Sequence, residues 1–224
     1  KLVSEVPGPG RYDNWIEVTV SPASPRAVVY TGQGGGNAAL IDTATGRPIA
    51  RLFEGERSAM LGSACFSPDG TRLIAGTDGS ALVGIWDAMT GKELGRHGGH
   101  RSSSTGFVFF GGGKRVASYS STSGGLVDVS VRAWDLTTGE RLWASLGIGG
   151  RSVTEVVVSP DGRYLAISSD EWPCVRLIES ETGKTLADLP GHPDYTRPAS
   201  FSRDGRWMAT SSNGGDVHLW RLPG

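Results

Sequence analysis

The 224-residue chain holds 34 glycines and 12 prolines, with 38% hydrophobic and 20% charged residues. That composition excludes a helical bundle and low-complexity disorder, and it points to a turn-rich fold around a packed core. Twenty-two basic residues against 23 acidic ones leave a formal charge of -1, so no global field favours nucleic acid or an acidic membrane surface.

In chain order, the same short unit recurs. A first turn, Ser21-Pro22, is followed by an apolar run that leads to Ile41-Asp42 and then to Thr45-Gly46. The second copy reads Ser67-Pro68-Asp69-Gly70, Trp86-Asp87, Thr90-Gly91; the third reads Gly111-Gly112-Gly113, Trp134-Asp135, Thr138-Gly139. The fourth has Ser159-Pro160-Asp161-Gly162, Ile178-Glu179 and Thr182-Gly183, and the fifth has Ser202-Arg203-Asp204-Gly205, Trp220-Arg221 and Gly224. The closing glycines are 45, 48, 44 and 41 residues apart, a period that decides the fold before any local assignment does.

Between these landmarks lie short alternating runs such as Arg163 to Ser168 and Val217 to Trp220, rich in residues that suit a pleated surface. Proline presets a turn dihedral and glycine closes the turn at no steric cost, so Ser-Pro-Asp-Gly and Thr-Gly both read as hairpin connections. Each copy therefore predicts four strands: one before the first turn, one after it, one ending near Trp-Asp and one after Thr-Gly.

The stretch from Phe66 to Leu94, with Gly-His pairs at Gly99-His100 and Gly191-His192, resembles a WD-repeat of the prokaryotic-type WD-repeat β-propeller proteins. The resemblance covers the whole chain in five copies. It implies an all-β, single-domain propeller over residues 1–224, with five four-stranded antiparallel blades.

The last copy stops one strand short, and Lys1-Leu2-Val3-Ser4-Glu5-Val6-Pro7-Gly8 matches Lys184-Thr185-Leu186-Ala187-Asp188-Leu189-Pro190-Gly191. Residues 1–6 are thus expected to complete the last blade and close the ring, which removes open sheet edges. Relatives of this family usually have seven blades, so part of a larger array is the alternative to a closed five-bladed ring.

The repeats also account for the residues that could suggest catalysis. Asp69, Asp161 and Asp204 share one turn position, and Asp42, Asp87, Asp135 and Glu179 share another, so neither set reads as a catalytic pair of carboxylates. His97 and His100 lie three apart without the three or four ligands a metal site requires. Neither triple glycine opens a helix that would cradle phosphate. No catalytic residue, cofactor or metal is expected. In the family, the Gly-His histidine joins a buried relay with a Ser or Thr, an Asp and the blade's Trp. His100, Ser118 and Trp134, and His192, Thr210 and Trp220, imply partial versions held more by packing than by polar bonds.

The loops that join successive units each carry an arginine, Arg11, Arg57, Arg101, Arg151 and Arg197, and also Asp13, Glu54, Glu56 and Asp194. Tyr12, Trp172 and Tyr195 lie outside the strand pattern, and exposed Trp, Tyr and Arg are the residue types in which partner hot spots are enriched. The candidate partner-binding face is therefore Tyr12, Arg57, Arg101, Arg151, Trp172, Tyr195 and Arg197. The expected function is a non-catalytic scaffold for a protein or peptide. A small-ligand or glycan binder, or a propeller hydrolase, is the alternative.

Nucleic acid and membrane are not expected partners, since no apolar run reaches the roughly 20 residues of a membrane helix. Cys65 and Cys174 read as buried free thiols, which fits a cytoplasmic protein. The chain opens on Lys1 rather than methionine, which suggests a trimmed piece from which a fused signalling or effector module has been removed.

Overall fold

Each predicted turn closes a hairpin in the computed structural model, which describes residues 16–31, 38–56, 60–78, 82–98, 100, 104–120, 130–146, 148, 153–170, 173–190, 192 and 196–222. The strands form two compact units, residues 1–105 and 106–224.

In the first unit, β1 (Ile16–Val20), β2 (Arg26–Thr31), β3 (Ala38–Asp42) and β4 (Pro48–Arg51) make one antiparallel sheet. β5 (Met60–Phe66), β6 (Arg72–Asp78), β7 (Leu82–Asp87) and β8 (Glu93–Gly98) make the next. A third sheet is formed by β9 (Ser104–Phe110), in which the unit boundary falls, with β10 (Arg115–Ser120), β11 (Ser130–Asp135) and β12 (Arg141–Leu146). The second unit continues with β13 (Val153–Val158), β14 (Tyr164–Ser169), β15 (Val175–Glu179) and β16 (Thr185–Leu189). It ends with β17 (Thr196–Phe201), β18 (Trp207–Ser212) and β19 (Val217–Arg221).

Sequence neighbours are sheet neighbours throughout. The fifth sheet has three strands among the described residues, and the expected fourth, residues 1–6, lies outside them. Gly111-Gly112-Gly113 is a single 3-10 turn with all three glycines at positive φ.

Side-chain chemistry explains why these turns repeat. The Ser67 hydroxyl donates to Asp69 Oδ1 at 2.6 Å and accepts the Arg72 backbone N–H at 2.9 Å. Ser159 does the same with Asp161 and Tyr164, and Ser202 with Asp204 and Trp207, at the same two distances. In the first sheet, where the turn reads Ser-Pro-Ala-Ser, the Ser24 hydroxyl replaces the carboxylate and donates to Ser21 Oγ at 2.8 Å. At the second landmark, the N–H groups of Gly46, Gly91, Gly139 and Gly183 donate to the carbonyls of Asp42, Asp87, Asp135 and Glu179 at 2.7–2.9 Å. Those glycines have φ of 71–77°, a region that side chains disfavour.

The core lies between sheets. Val28, Tyr30, Ala38 and Leu40 of the first sheet pack on Leu61, Phe66, Leu73 and Ala75 of the second, and Trp86 and Phe53 join this cluster. In the second unit, Val131 and Ala133 meet Val156, Leu165 and Ile167. Tyr164, Ala166, Val175 and Leu177 meet Met208 and Leu222. Each junction joins the β2- and β3-type face of one sheet to the first-, second- and third-strand side chains of the next. Burying such aliphatic and aromatic side chains contributes roughly 1.5–3 kcal/mol each.

Two glycines separate backbone strain from steric fit. Gly55, at φ 90°, has nothing within 4 Å of an added Cβ, so Gly55→Ala should cost about 1–2 kcal/mol, from strain alone. At Gly183, φ 71°, the Cβ would lie 2.6 Å from the Trp143 ring, which is itself held by donating to the Ser180 carbonyl at 2.9 Å. Gly183→Ala should therefore lose a further ~1–3 kcal/mol, read as the difference between the two variants' urea unfolding midpoints.

Candidate interaction face

Six of the seven candidate residues, Tyr12, Arg57, Arg101, Arg151, Trp172 and Tyr195, lie outside the described residues. Arg197, expected in a loop, is the second residue of β17, and its backbone pairs with Ser211. The described residues that lead into these loops show how the loops are rooted. His100, Ile148 and His192 each lie nine residues after a Thr-Gly glycine, and all three are buried. In the first unit Leu52 and Phe53 do the same work five and four residues before Arg57.

Phe53 adopts φ 52°, the single positive φ at a non-glycine among the described residues. Such a conformation costs roughly 1–2 kcal/mol, offset here by burial of the ring. The ring meets Trp86 edge-on at 4.9 Å, and the Arg96 guanidinium lies over it at 5.5 Å. Arg96 also bonds Glu93 at 2.8 Å and Glu56 at 3.1 Å. Hydrogen bonding to Glu93 leads the causes that raise its pKa above the ordinary arginine value. Glu56, counted in the sequence only as a charge opposing the arginines, is thus an anchor for the segment entering Arg57. The three-residue spacing of Glu93 and Arg96 gave no signal that Glu56 would join them.

The histidine root of the fifth sheet is more polar than the sequence implied. Trp220 Nε1–H donates to Thr210 Oγ1 at 2.9 Å, and His192 Nε2 lies 2.8 Å from the same oxygen. The His192 ring stacks on His218 with centroids 4.1 Å apart. In the third sheet Trp134 Nε1–H donates to Ser118 Oγ at 2.8 Å, with both residues buried. Polar bonds therefore tie both tryptophans to their second strands.

The repeated carboxylates are occupied as turn caps. Asp42 Oδ1 accepts the N–H groups of Ala44 and Thr45 and the Thr45 hydroxyl at 2.9–3.2 Å, while Oδ2 takes Arg26 at 2.7 Å. Asp87 repeats the pattern with Met89, Thr90 and Arg72. The Ser67 hydroxyl, followed by the Thr71 N–H, holds Asp69 below the usual carboxylate value, and the Ser202 hydroxyl does the same for Asp204. Cys65 and Cys174 are free and half-buried, and burial pushes both thiols up. Among the described residues, no group of three or more His, Cys, Asp or Glu side chains could hold a metal ion, and no helix is long and apolar enough to cross a membrane.

With five antiparallel sheets in up-and-down strand order, the chain is an all-β protein of the five-bladed β-propeller class. A chain of the Mitotic Checkpoint Complex structure superimposes with a TM-score of 0.66 over 92% of this chain and 61% of that one, at 16% identity. The family described as WD domain, G-beta repeat matches residues 46–87 and 183–221.

Pre-mRNA-processing factor 19 homolog 2 of Arabidopsis thaliana is 26% identical over 97% of this chain and 42% of its own length. The guanine nucleotide-binding protein subunit beta of Zea mays is 28% identical over 77% of this chain and 47% of its own length. A shorter match, 34% identical over 37% of this chain and 29% of the relative, is to Target of rapamycin complex subunit wat1 of Schizosaccharomyces pombe. These similarities support a WD-repeat protein, and the relatives named are eukaryotic. The chain spans less than half the length of these curated relatives.

Two measurements test the site's polar framework. Thr210→Val removes the hydroxyl shared by Trp220 and His192 and should cost about 1–3 kcal/mol, read by urea unfolding at neutral pH. Acid titration should lower the melting temperature in two stages. His192 is held below its ordinary 6.5 by burial, then by His218, against the opposing pull of Asp216, and burial also lowers His97. A depressed histidine contributes stability that is present above 6.5 and lost as pH falls toward the folded value. Asp69 and Asp204 contribute stability present above their ordinary 3.8 and lost as pH falls through their lower folded values. His192→Gln should shrink the first stage, and Asp69→Asn with Asp204→Asn should flatten the second.

Proposed function

We propose that the chain is a non-catalytic scaffold that binds a protein or peptide through the loops between its sheets. The observation that carries this reading is the division of labour in the repeat. The carboxylates that recur are spent on turn N–H groups and arginines, as at Asp42 and Asp87. The segments leading into the loops are rooted by buried residues such as Ile148 and His192. Buried roots beneath loops that differ from copy to copy suit recognition, since they give the loops fixed points of attachment.

The binding face is Tyr12, Arg57, Arg101, Arg151, Trp172, Tyr195 and Arg197, with the aromatic residues as anchors and the arginines as bidentate donors to acidic or backbone groups. Two of the similar proteins are named as subunits, of a guanine nucleotide-binding protein and of the Target of rapamycin complex, which favours membership in an assembly. A cytoplasmic location is part of the proposal, supported by the two free thiols.

Replacing Trp172 and Arg151 together should abolish capture of the partner identified by affinity purification while leaving the melting temperature unchanged. Undiminished capture by the folded double variant would move the site off these loops.

A further inference from the structure

In three of the repeated turns an aspartate precedes a glycine, and there both residues are held by bonds of the turn. The N–H groups of Gly70, Gly162 and Gly205 donate to the carbonyls of Ser67, Ser159 and Ser202 at 2.8–2.9 Å. The carboxylates of Asp69, Asp161 and Asp204 each accept a serine hydroxyl at 2.6 Å. At these positions the glycine nitrogen and the side-chain carbonyl carbon of the residue before it are kept from meeting.

The connection between β18 and β19 is built differently. Asn14 and Asn37 precede Trp15 and Ala38, and Asn213 is the one asparagine that precedes a glycine. Asn213, Gly214, Gly215 and Asp216 are all exposed. The bonds that close this turn run from the Gly215 N–H to the Ser212 carbonyl at 3.1 Å and from the Ser212 N–H to the Asp216 carbonyl at 3.0 Å. They pass Gly214 by. Among the described residues, neither the Gly214 N–H nor the Asn213 carboxamide makes a hydrogen bond. A Cβ placed on Gly214 would meet only Ser212 Oγ at 3.6 Å and Asp216 Oδ2 at 3.7 Å, so nothing crowds the approach to its nitrogen.

We propose that Asn213 is a site of spontaneous deamidation, by which the turn between β18 and β19 gains a carboxylate. The Gly214 nitrogen attacks Asn213 Cγ and gives up its proton; a C–N bond forms, closing a cyclic imide, while the bond from Cγ to the side-chain nitrogen breaks and ammonia leaves. Water then opens the ring. Cleavage at Cγ yields aspartate in an ordinary backbone, and cleavage at the backbone carbonyl yields isoaspartate, with the chain running through the side chain. One water is consumed and one ammonia released, without oxidant or reductant. Either product is anionic at neutral pH, so the turn that already carries Asp216 gains a second negative charge. That charge arises one residue beyond Ser212, which lies opposite Thr196 in the β17–β18 register, and so beside the start of the strand that holds Arg197. An effect on binding rests on the binding face proposed above; the deamidation does not.

Peptide mapping of the aged protein tests the proposal. Trypsin releases residues 207–221 as one peptide, in which Asn213 is the sole asparagine. The full chain is held in mildly alkaline buffer at physiological temperature, digested at intervals and resolved by liquid chromatography with mass detection. The peptide should divide with time into asparagine, aspartate and isoaspartate forms, the last identified by enzymatic methylation with an isoaspartyl methyltransferase and labelled S-adenosylmethionine. Gly214→Ala, which the open space over Gly214 accommodates, should slow the loss of the amide several-fold. An amide that persists in the folded chain, under conditions that convert the same peptide free in solution, overturns the proposal. So does a rate unchanged by Gly214→Ala, or isoaspartate that forms as fast at Asp69, Asp161 or Asp204 as at Asn213.

Discussion

A sheet with two apolar faces is stable only between neighbours, and this constraint governs the whole molecule. Leu73 and Ile74 are adjacent in β6 and point to opposite faces, yet both are fully buried. The same holds for Leu165 and Ala166 in β14, and for Leu177 and Ile178 in β15. Such strands do not show the alternation of a half-solvated sheet; they read as continuous apolar runs because these three strands are buried on both faces. Stability is thus approximately a sum of sheet and junction terms, as in other repeat architectures.

The turns make that stacking possible by fixing hairpin geometry with local bonds that do not depend on the neighbours. In Ser-Pro-Asp-Gly, one hydroxyl both donates to the carboxylate and accepts a backbone N–H, so one serine satisfies two groups that the turn would leave open. The cost of the arrangement is chemical freedom. A carboxylate surrounded by N–H and hydroxyl donors is stabilised as the anion and is a poor general acid near neutral pH. The repeat's most numerous acidic groups are unsuited to proton transfer for the same reason that they are good turn formers.

Strands and turns were legible in the sequence because their determinants lie within a few residues of one another. Pro68, Asp69 and Gly70 specify a hairpin without reference to anything distant, and Gly91 requires its positive φ whatever packs around it. The binding face was less legible. Its place between successive units groups Arg197 with the loop arginines, but strand pairing with Ser211 decides its backbone. Glu56 looked like a stray charge until the fold brought Arg96, 40 residues away, against it. The polar bonds at Trp220 were underestimated because the missing Asp suggested a broken relay, whereas Thr210 can serve Trp220 and His192 with one oxygen. Pattern matching counts the members of a relay; geometry shows which of them are needed.

The exposed faces of β1 and β19 show the limit of periodicity as a guide. Val217 and Leu219 match Val83 and Ile85 in type and spacing, so the repeat assigns them all to the core. Whether a residue of this kind is buried depends on what packs against its sheet, which the repeat itself does not state. Fixed hairpins follow from one turn chemistry copied several times. Equal spacing and side-chain type thus leave burial undetermined: Leu219 and Ile85 hold the same place in the repeat, yet one is 71% exposed and the other fully buried.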